Sequence, residues 1–251
     1  MALQEELEKQ GNFLFKYRSF FPLIVLVVGL LIYLQSELQP ENNILKGTVY
    51  ELYYEMFALF IALVGLAIRV YAVGHANKNT SGRNTTAGQV ADHLNTSGIY
   101  SMLRHPLYLG NFMMWLGPVL LTVHIWFIIA FCLLYWIYYE RIMFAEEQFL
   151  RRKFGADYLK WSENVKPFIP NFKNFSKPIM PFSLKKVLKQ EKNGLFALFL
   201  IFAIFDVAGE IIRNESNFNY FLIAMCIITG IAYLVLKFLK RKTNLLDEPD
   251  R

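Results

Sequence analysis

Residues 106–143 read PLYLGNFMMWLGPVLLTVHIWFIIAFCLLYWIYYERIM and decide the fold. This stretch is apolar almost throughout and contains two charged residues, both near its end. A helix needs about 20 mostly apolar residues to cross the hydrocarbon core of a bilayer. The stretch is therefore long enough for two crossings, at 106–123 and 125–143, with a break near residues 122–124. We expect a helical hairpin with a very short outer turn.

Four further apolar stretches bring the expected total to about six spans. They lie at residues 20–35, 52–73, 195–212 and 218–239. The chain is 55% hydrophobic and only 18% charged, whereas a soluble domain averages about 25% charged residues. This composition excludes intrinsic disorder, and two cysteines inside apolar runs do not form a disulfide framework. The sequence predicts an all-α, polytopic transmembrane helical bundle.

The basic residues flank these spans asymmetrically. Of the 26 Lys and Arg residues, 23 fall in segments assigned to one side of the membrane and two in the others, while Arg69 lies inside the second span. Basic residues accumulate on the cytoplasmic side. We therefore expect both termini and the active site in the cytoplasm, in a bacterial inner membrane. The net charge of +6 then reflects contact with membrane lipids rather than nucleic acid, because the basic residues form no separate domain.

The spans divide the chain into five expected parts. These are an interfacial N-terminal segment (1–19), the first span with its outer loop (20–51), a core (52–170), a basic cytoplasmic linker (171–194), and a two-span hairpin with a tail (195–251). The first apolar run starts too late for a signal peptide. Near the outer end of the fifth span, Asp206, Glu210 and Arg213 share one helix face, which predicts an ion-paired helix end rather than a second site.

Polar residues are dense where the third span begins, in the segment QVADHLNTSGIYSMLRHPLYLG at residues 89–110. Pro106 suits the first turn of a helix, so Arg104 and His105 would lie at the mouth of the span. Gly110 would let another helix or a ligand approach closely. A juxtamembrane anchor uses similar residues, but this density favours a binding site.

A second polar cluster follows the fourth span, at residues 140–170, and includes Glu146 and Glu147. An amphipathic helix on the membrane surface would also explain it. However, a short outer turn makes the cytoplasmic ends of spans three and four neighbours. We therefore expect Arg141, Glu146 and Glu147 to lie close to Arg104, and ionisable groups at such a place are candidates for function.

At these residues the sequence resembles the membrane-embedded, S-adenosylmethionine-dependent methyltransferases of the isoprenylcysteine carboxyl methyltransferase and phospholipid methyltransferase group. The resemblance spans about residues 52–170 and rests on two ordered motifs. The first is Thr96-Ser-Gly-Ile-Tyr100 followed by Arg104-His-Pro-Leu-Tyr108-Leu-Gly110. The second comprises Glu146-Glu147, Leu150, Phe154-Gly155, Tyr158, Val165 and Ile169-Pro170.

The resemblance implies a cytoplasmic catalytic region on spans three and four that binds S-adenosylmethionine, with no metal. The cofactor-binding residues that it implies are Leu94, Asn95, Tyr100, His105, Pro106, Leu107, Tyr108 and Glu146. The family binds the substrate anion with an Arg four residues before its first motif Glu. Here Ile142 stands at that position and Arg141 precedes it, so Arg141 or Arg104 is expected to take that role. Glu147 is a candidate to pair with the cofactor or to act as a base.

The resemblance implies transfer of a methyl group to a lipid or lipidated substrate, on a carboxylate, phosphate or amine. The insert at residues 75–91 carries Lys78 and Arg83 among Asn and Thr, which suits a polar or anionic headgroup. In this it is similar to bacterial members that act on the phosphate of lipid A. Two alternatives stay open: an NADPH-dependent sterol-reductase-like enzyme, and a transporter or scaffold. The absence of an inverted repeat argues against a transporter.

Overall fold

The computed structural model describes residues 2–78, 80 and 89–248. In this part of the chain the secondary structure is helical, apart from one isolated bridge between Gly98 and Ser176. The predicted all-α class is therefore confirmed. The helices are α1 (Leu3–Lys16), α2 (Phe20–Leu38), α3 (Tyr50–His75), α4 (Pro106–Leu121), α5 (Ile125–Phe154), α6 (Ala156–Ser162), α7 (Leu184–Arg213) and α8 (Tyr220–Lys242).

Five of these helices, α2, α3, α5, α7 and α8, are long and apolar enough to cross a membrane. The protein is an integral membrane protein. The remaining expected span, α4, has 16 residues, which at 1.5 Å per residue gives about 24 Å. The break between α4 and α5 lies where it was predicted. Val123 has a positive φ of 49°, and the His124 side chain accepts the N–H of Phe127 to begin α5.

Within the predicted basic linker at 171–194, residues 184–194 form the first turns of α7. Ser183 starts this helix, because its Oγ accepts the N–H of Lys186 at 3.1 Å. The Lys186 Nζ in turn donates to the carbonyl oxygens of Ala76 at 2.7 Å and Asn77 at 2.9 Å. Hydropathy marks only the apolar part of a helix, whereas capping and helix propensity decide where the helix begins.

The closest helix packing joins α3 and α4 through small residues. A Cβ added at Gly65 would lie 2.5 Å from the carbonyl oxygen of Gly110, and one added at Gly117 would lie 2.8 Å from that of Ala58. Lipid tails are as apolar as Leu, so helices in a membrane associate through such close contacts. The close approach expected at Gly110 is confirmed, and the approaching element is α3.

Helices α3 and α5 end, and α4 and α7 begin, at the same end of the bundle, which we call the motif end. Both described ends of the chain pack there. There α1 lies along α5, with Glu8 bound to Arg152 at 2.6 Å. The tail returns to the same place, where Glu248 pairs with Ser183. The N-terminal segment and the tail therefore lie on the same side as the two motifs.

The opposite end of the bundle carries the ion pair predicted on α7. Arg213 binds Glu210 on its own helix and Glu37 at the end of α2. Asp206 has a different partner, since its carboxylate accepts the backbone N–H of Asn219 at 2.9 Å. These charges tie α2, α7 and the start of α8 together.

We predict that Gly65→Ala destabilises the protein by about 1–3 kcal/mol, because the new methyl group overpacks the backbone contact between α3 and α4. The measurement is the thermal unfolding midpoint in detergent. The matched control is Gly194→Ala on α7, where a Cβ meets atoms only at 3.5 Å or beyond and Ala favours the helix. Equal midpoints for the two variants would contradict the role of Gly65.

Candidate active site

Backbone hydrogen bonds hold the first motif against residues 166–167, near the end of the second motif. The N–H of Arg104 donates to the carbonyl of Lys166 at 2.9 Å, and the N–H of His105 donates to that of Pro167 at 3.0 Å. Gly98 begins the turn before them with a φ of +61°, a conformation that glycine adopts at low cost. The two motifs are therefore locked together by main-chain contacts.

Their side chains form a network across the mouths of α4 and α5. His105, which is only 5% exposed, places its Nε2 2.9 Å from Oε1 of Glu147 and its Nδ1 3.7 Å from Oε2 of Glu146. The hydroxyl of Tyr108 donates to Oε2 of Glu146 at 2.8 Å. Nε of Arg104 lies 3.2 Å from Oε1 of Glu147. The predicted neighbourhood of Arg104 with the two glutamates is present.

Buried tyrosines support this network from inside the bundle. The Tyr135 hydroxyl donates to the carbonyl oxygen of Tyr108 at 2.7 Å. The rings of Tyr135 and Tyr139 stack at 4.1 Å, and that of His105 stacks on Tyr108 at 5.6 Å. Aromatic pairs of this kind restrict ring orientation, so the network has a fixed frame.

Two adjoining chambers meet at this network. The cap chamber lies among the end of α1, residues 89–95, α5 and α6, and aromatic side chains such as Phe15, Phe149 and Trp161 line it. The bundle chamber lies deeper, against α3 and α4, where Arg69 and Asn111 line it. Their common lining consists of Thr80, Tyr100, Arg104, His105 and Glu146. The two motifs thus supply a shared wall.

All eight predicted cofactor residues line a chamber. Leu94 and Asn95 line the cap chamber. Three line the bundle chamber, namely Pro106, Leu107 and Tyr108, and the remaining three belong to the shared wall. Glu147, predicted as catalytic, lies behind that wall and holds Arg104 and His105.

Arg141 does not join the site, and its expected position beside Arg104 is wrong. Its Nε donates to Oε1 of Gln10 on α1, and its Nη1 donates to the carbonyl of Ile137, both at 3.0 Å. At 100° per residue, the five positions from Arg141 to Glu146 place the two side chains about 140° apart around α5. Helix α1 covers the Arg141 face. Arg104 is the candidate that lines the site.

Several lining residues have no counterpart among the predicted ones. Arg18, Arg69 and Asn111 line the bundle chamber. A charge inside an apolar span indicates function, so Arg69 could have been recognised as a site residue from the sequence. Arg18 lies outside both motifs and could not. Of the polar insert, Lys78 is exposed and Arg83 lies outside the described residues.

The phenols at the site stay protonated over the physiological range. Burial, with the nearby Glu146 carboxylate, raises the pKa of Tyr100. Burial, with Glu147, raises the pKa of Tyr158 on α6. These hydroxyls act as uncharged groups, so Arg and Glu side chains set the charge of the two chambers.

Comparison with known proteins identifies the class to which this region is similar. Residues 54–157 match the model of the phospholipid methyltransferase family. This range contains the whole network, from Arg104 to Glu147, together with Arg69. The resemblance given by the two motifs is therefore confirmed, and the matched range holds the first motif and the start of the second.

The individual relatives are prenylcysteine methyltransferases. Protein-S-isoprenylcysteine O-methyltransferase A of Arabidopsis thaliana is 30% identical over 115 residues, which are 45% of this chain and 58% of the relative. The enzyme of Tribolium castaneum is 29% identical, covering 46% and 42%, and that of Saccharomyces cerevisiae is 26% identical, covering 54% and 57%. This chain thus spans about half the length of these relatives. No solved structure matches the chain at comparable significance.

We predict that Glu147→Ala lowers the free energy of unfolding by about 2 kcal/mol, because His105 loses its hydrogen-bond partner and Arg104 loses its ion-pair partner. Arg141→Ala should cost about 1 kcal/mol or less, as is usual for an exposed polar contact. Thermal unfolding in detergent measures both variants. A larger loss in Arg141→Ala would contradict the assignment of Glu147 as the residue that holds the shared wall.

Proposed function

We propose that this protein is an S-adenosylmethionine-dependent methyltransferase that modifies a carboxylate, phosphate or amine of a lipid or lipidated substrate. The observation that carries the proposal is the shared wall between two chambers, built from both motifs. A transfer reaction needs two reactants in contact, and two chambers that meet at His105 and Glu146 suit one reactant each. The printed names of the relatives support the same chemistry.

The cap chamber fits S-adenosylmethionine by the kind of groups that line it. Phe149 and Trp161 offer apolar and aromatic surface for a purine. Glu146 uses Oε2 for Tyr108, and among the described residues no hydrogen bond occupies its Oε1, which suits an ammonium or ribose hydroxyl. When bound, S-adenosylmethionine supplies a methyl group on a positively charged sulfur. Tyr100 and His105, in the shared wall, would contact both reactants.

The residues of the chain contribute mainly position and exclusion of water. Fixed orientation of two reactants supplies about 7–11 kcal/mol of a barrier, and the stacked tyrosines hold His105 and Tyr108 rigidly. A carboxylate or phosphate acceptor is already ionised at neutral pH and needs no base. An amine acceptor would need one, and His105 is the shared-wall residue able to take its proton, with Glu147 behind it.

We propose further that the motif end faces the cytoplasm of a bacterial inner membrane. The basic residues concentrated on that side support this orientation. Because S-adenosylmethionine is charged and does not cross a bilayer, its addition to inverted vesicles should give methyl transfer, and its addition to right-side-out vesicles should not. Transfer in right-side-out vesicles alone would reverse the orientation.

We predict that the purified protein binds S-adenosylmethionine and does not bind NADPH. Each compound is tested for a shift of the thermal unfolding midpoint in detergent. His105→Ala and Glu146→Gln should weaken binding of S-adenosylmethionine at least tenfold, because each alters the shared wall. A shift with NADPH alone would favour a reductase, and normal binding by both variants would contradict the site.

We also predict that methyl-labelled S-adenosylmethionine labels a component of a total lipid extract, with mass spectrometry identifying the product. Transfer should fall at least a hundredfold in Glu146→Gln. Arg152→Ala is the control, since its side chain is exposed and bound to Glu8 on α1. Cofactor binding without transfer to any lipid or lipidated peptide would contradict the proposed substrate class.

A further inference from the structure

Arg69 extends from α3 into the bundle chamber, six residues before the helix ends at His75. Its Nε and Nη2 donate to Oε2 and Oε1 of Glu191 at 2.8 and 2.7 Å, and its Nη1 donates to Oδ1 of Asn111 at 2.5 Å. A guanidinium has five N–H donors. Three have partners among the described residues, so one N–H on each Nη is left for a ligand in the chamber.

Gly110 of the first motif leaves the space that the Arg69 side chain occupies. A Cβ added at Gly110 would lie 2.6 Å from Cγ of Arg69. Any larger residue there would meet the aliphatic part of the arginine. Gly110 therefore lets Arg69 pass across α4 to reach Asn111 and the chamber.

Glu191 holds the guanidinium from behind. It lies on α7, is only 4% exposed, and does not line the chamber. Burying such a pair costs desolvation energy that apolar residues would avoid, so it is weak evidence for a stabilising role. Ionisable pairs within a membrane protein instead mark binding or transport sites.

Guanidinium groups outnumber carboxylates in the lining of the bundle chamber, and Glu191 and Glu147 pair with Arg69 and Arg104 from outside that lining. Three guanidinium groups line it, from Arg18, Arg69 and Arg104, whereas Glu146 supplies the carboxylate in its lining. The planar fork of arginine matches the two oxygens of a carboxylate or phosphate. Among the described residues, Arg69 has one N–H on each Nη left to donate to such a group.

We propose that Arg69 binds an anionic oxygen of the acceptor headgroup, carboxylate or phosphate, in the bundle chamber, and that Glu191 is the positioning residue that orients it. This inference rests on the proposed function, because it assigns the bundle chamber to the methyl acceptor. It gives α7, which lies beyond the matched range of 54–157, a part in the site.

The test measures binding of single-chain probes to the full-length protein in a neutral detergent, by microscale thermophoresis. The probes are dodecyl phosphate, dodecanoate and dodecylamine. The wild type should bind at least one anionic probe ten times more tightly than dodecylamine, and the preferred one distinguishes phosphate from carboxylate. The double variant Arg69→Gln/Glu191→Gln, which buries no unpaired charge, should bind all three within twofold of one another.

The single variant Glu191→Gln shows whether Glu191 orients the Arg69 guanidinium or only neutralises its charge. If Glu191 orients the fork, the variant should bind the anionic probe three to ten times more weakly. Tighter binding would mean that the carboxylate only offsets charge, and would overturn the positioning role.

The matched control is Arg213→Gln/Glu210→Gln, which removes the ion pair at the opposite end of α7 and should leave every affinity unchanged. Equal loss in this control, retained anion preference in the Arg69 double variant, or a wild-type preference for dodecylamine would each overturn the inference. Affinity for S-adenosylmethionine is measured on the same samples and should stay within twofold. Its absence in the wild type would count against the proposed function instead.

Discussion

The backbone contact between Gly65 of α3 and Gly110 of α4 is the constraint on which the rest of the structure depends. It brings the two helix axes close enough for Arg69, one turn further along α3, to cross α4 beside Gly110. It also holds the first turns of α4 against α3, next to His105 and Tyr108. Packing and chemistry therefore use the same glycine, so that substitutions there affect both.

The fold could be predicted largely from the sequence, because apolar length and the break at residues 122–124 both leave a direct signal. The start of α7 could not be predicted this way, since residues 184–194 are polar and their helix depends on a cap at Ser183 and on the contacts of Lys186 with Ala76 and Asn77. Those contacts join segments more than a hundred residues apart. Hydropathy contains no information about them.

The positions of site residues could be predicted from the sequence where they depend only on short-range geometry. A short outer turn makes the mouths of α4 and α5 neighbours, and this correctly placed Glu147 close to Arg104. The same reasoning placed Arg141 wrongly, because the direction of a side chain around α5 depends on what packs against each face, and α1 covers that one. Arg18 and Glu191 reach the site or its supporting residues only through the tertiary arrangement of α1, α2 and α7.

The length of α4 has a consequence for how the bundle meets the lipid. At about 24 Å it is shorter than the roughly 30 Å hydrocarbon thickness of a typical bilayer. Hydrophobic mismatch of this kind thins the membrane locally or draws flanking polar residues inward. In this bundle, however, no residue of α4 is exposed, so neighbouring helices rather than lipid surround it. The bundle therefore accommodates a helix shorter than the hydrocarbon core, and the membrane meets the longer helices instead.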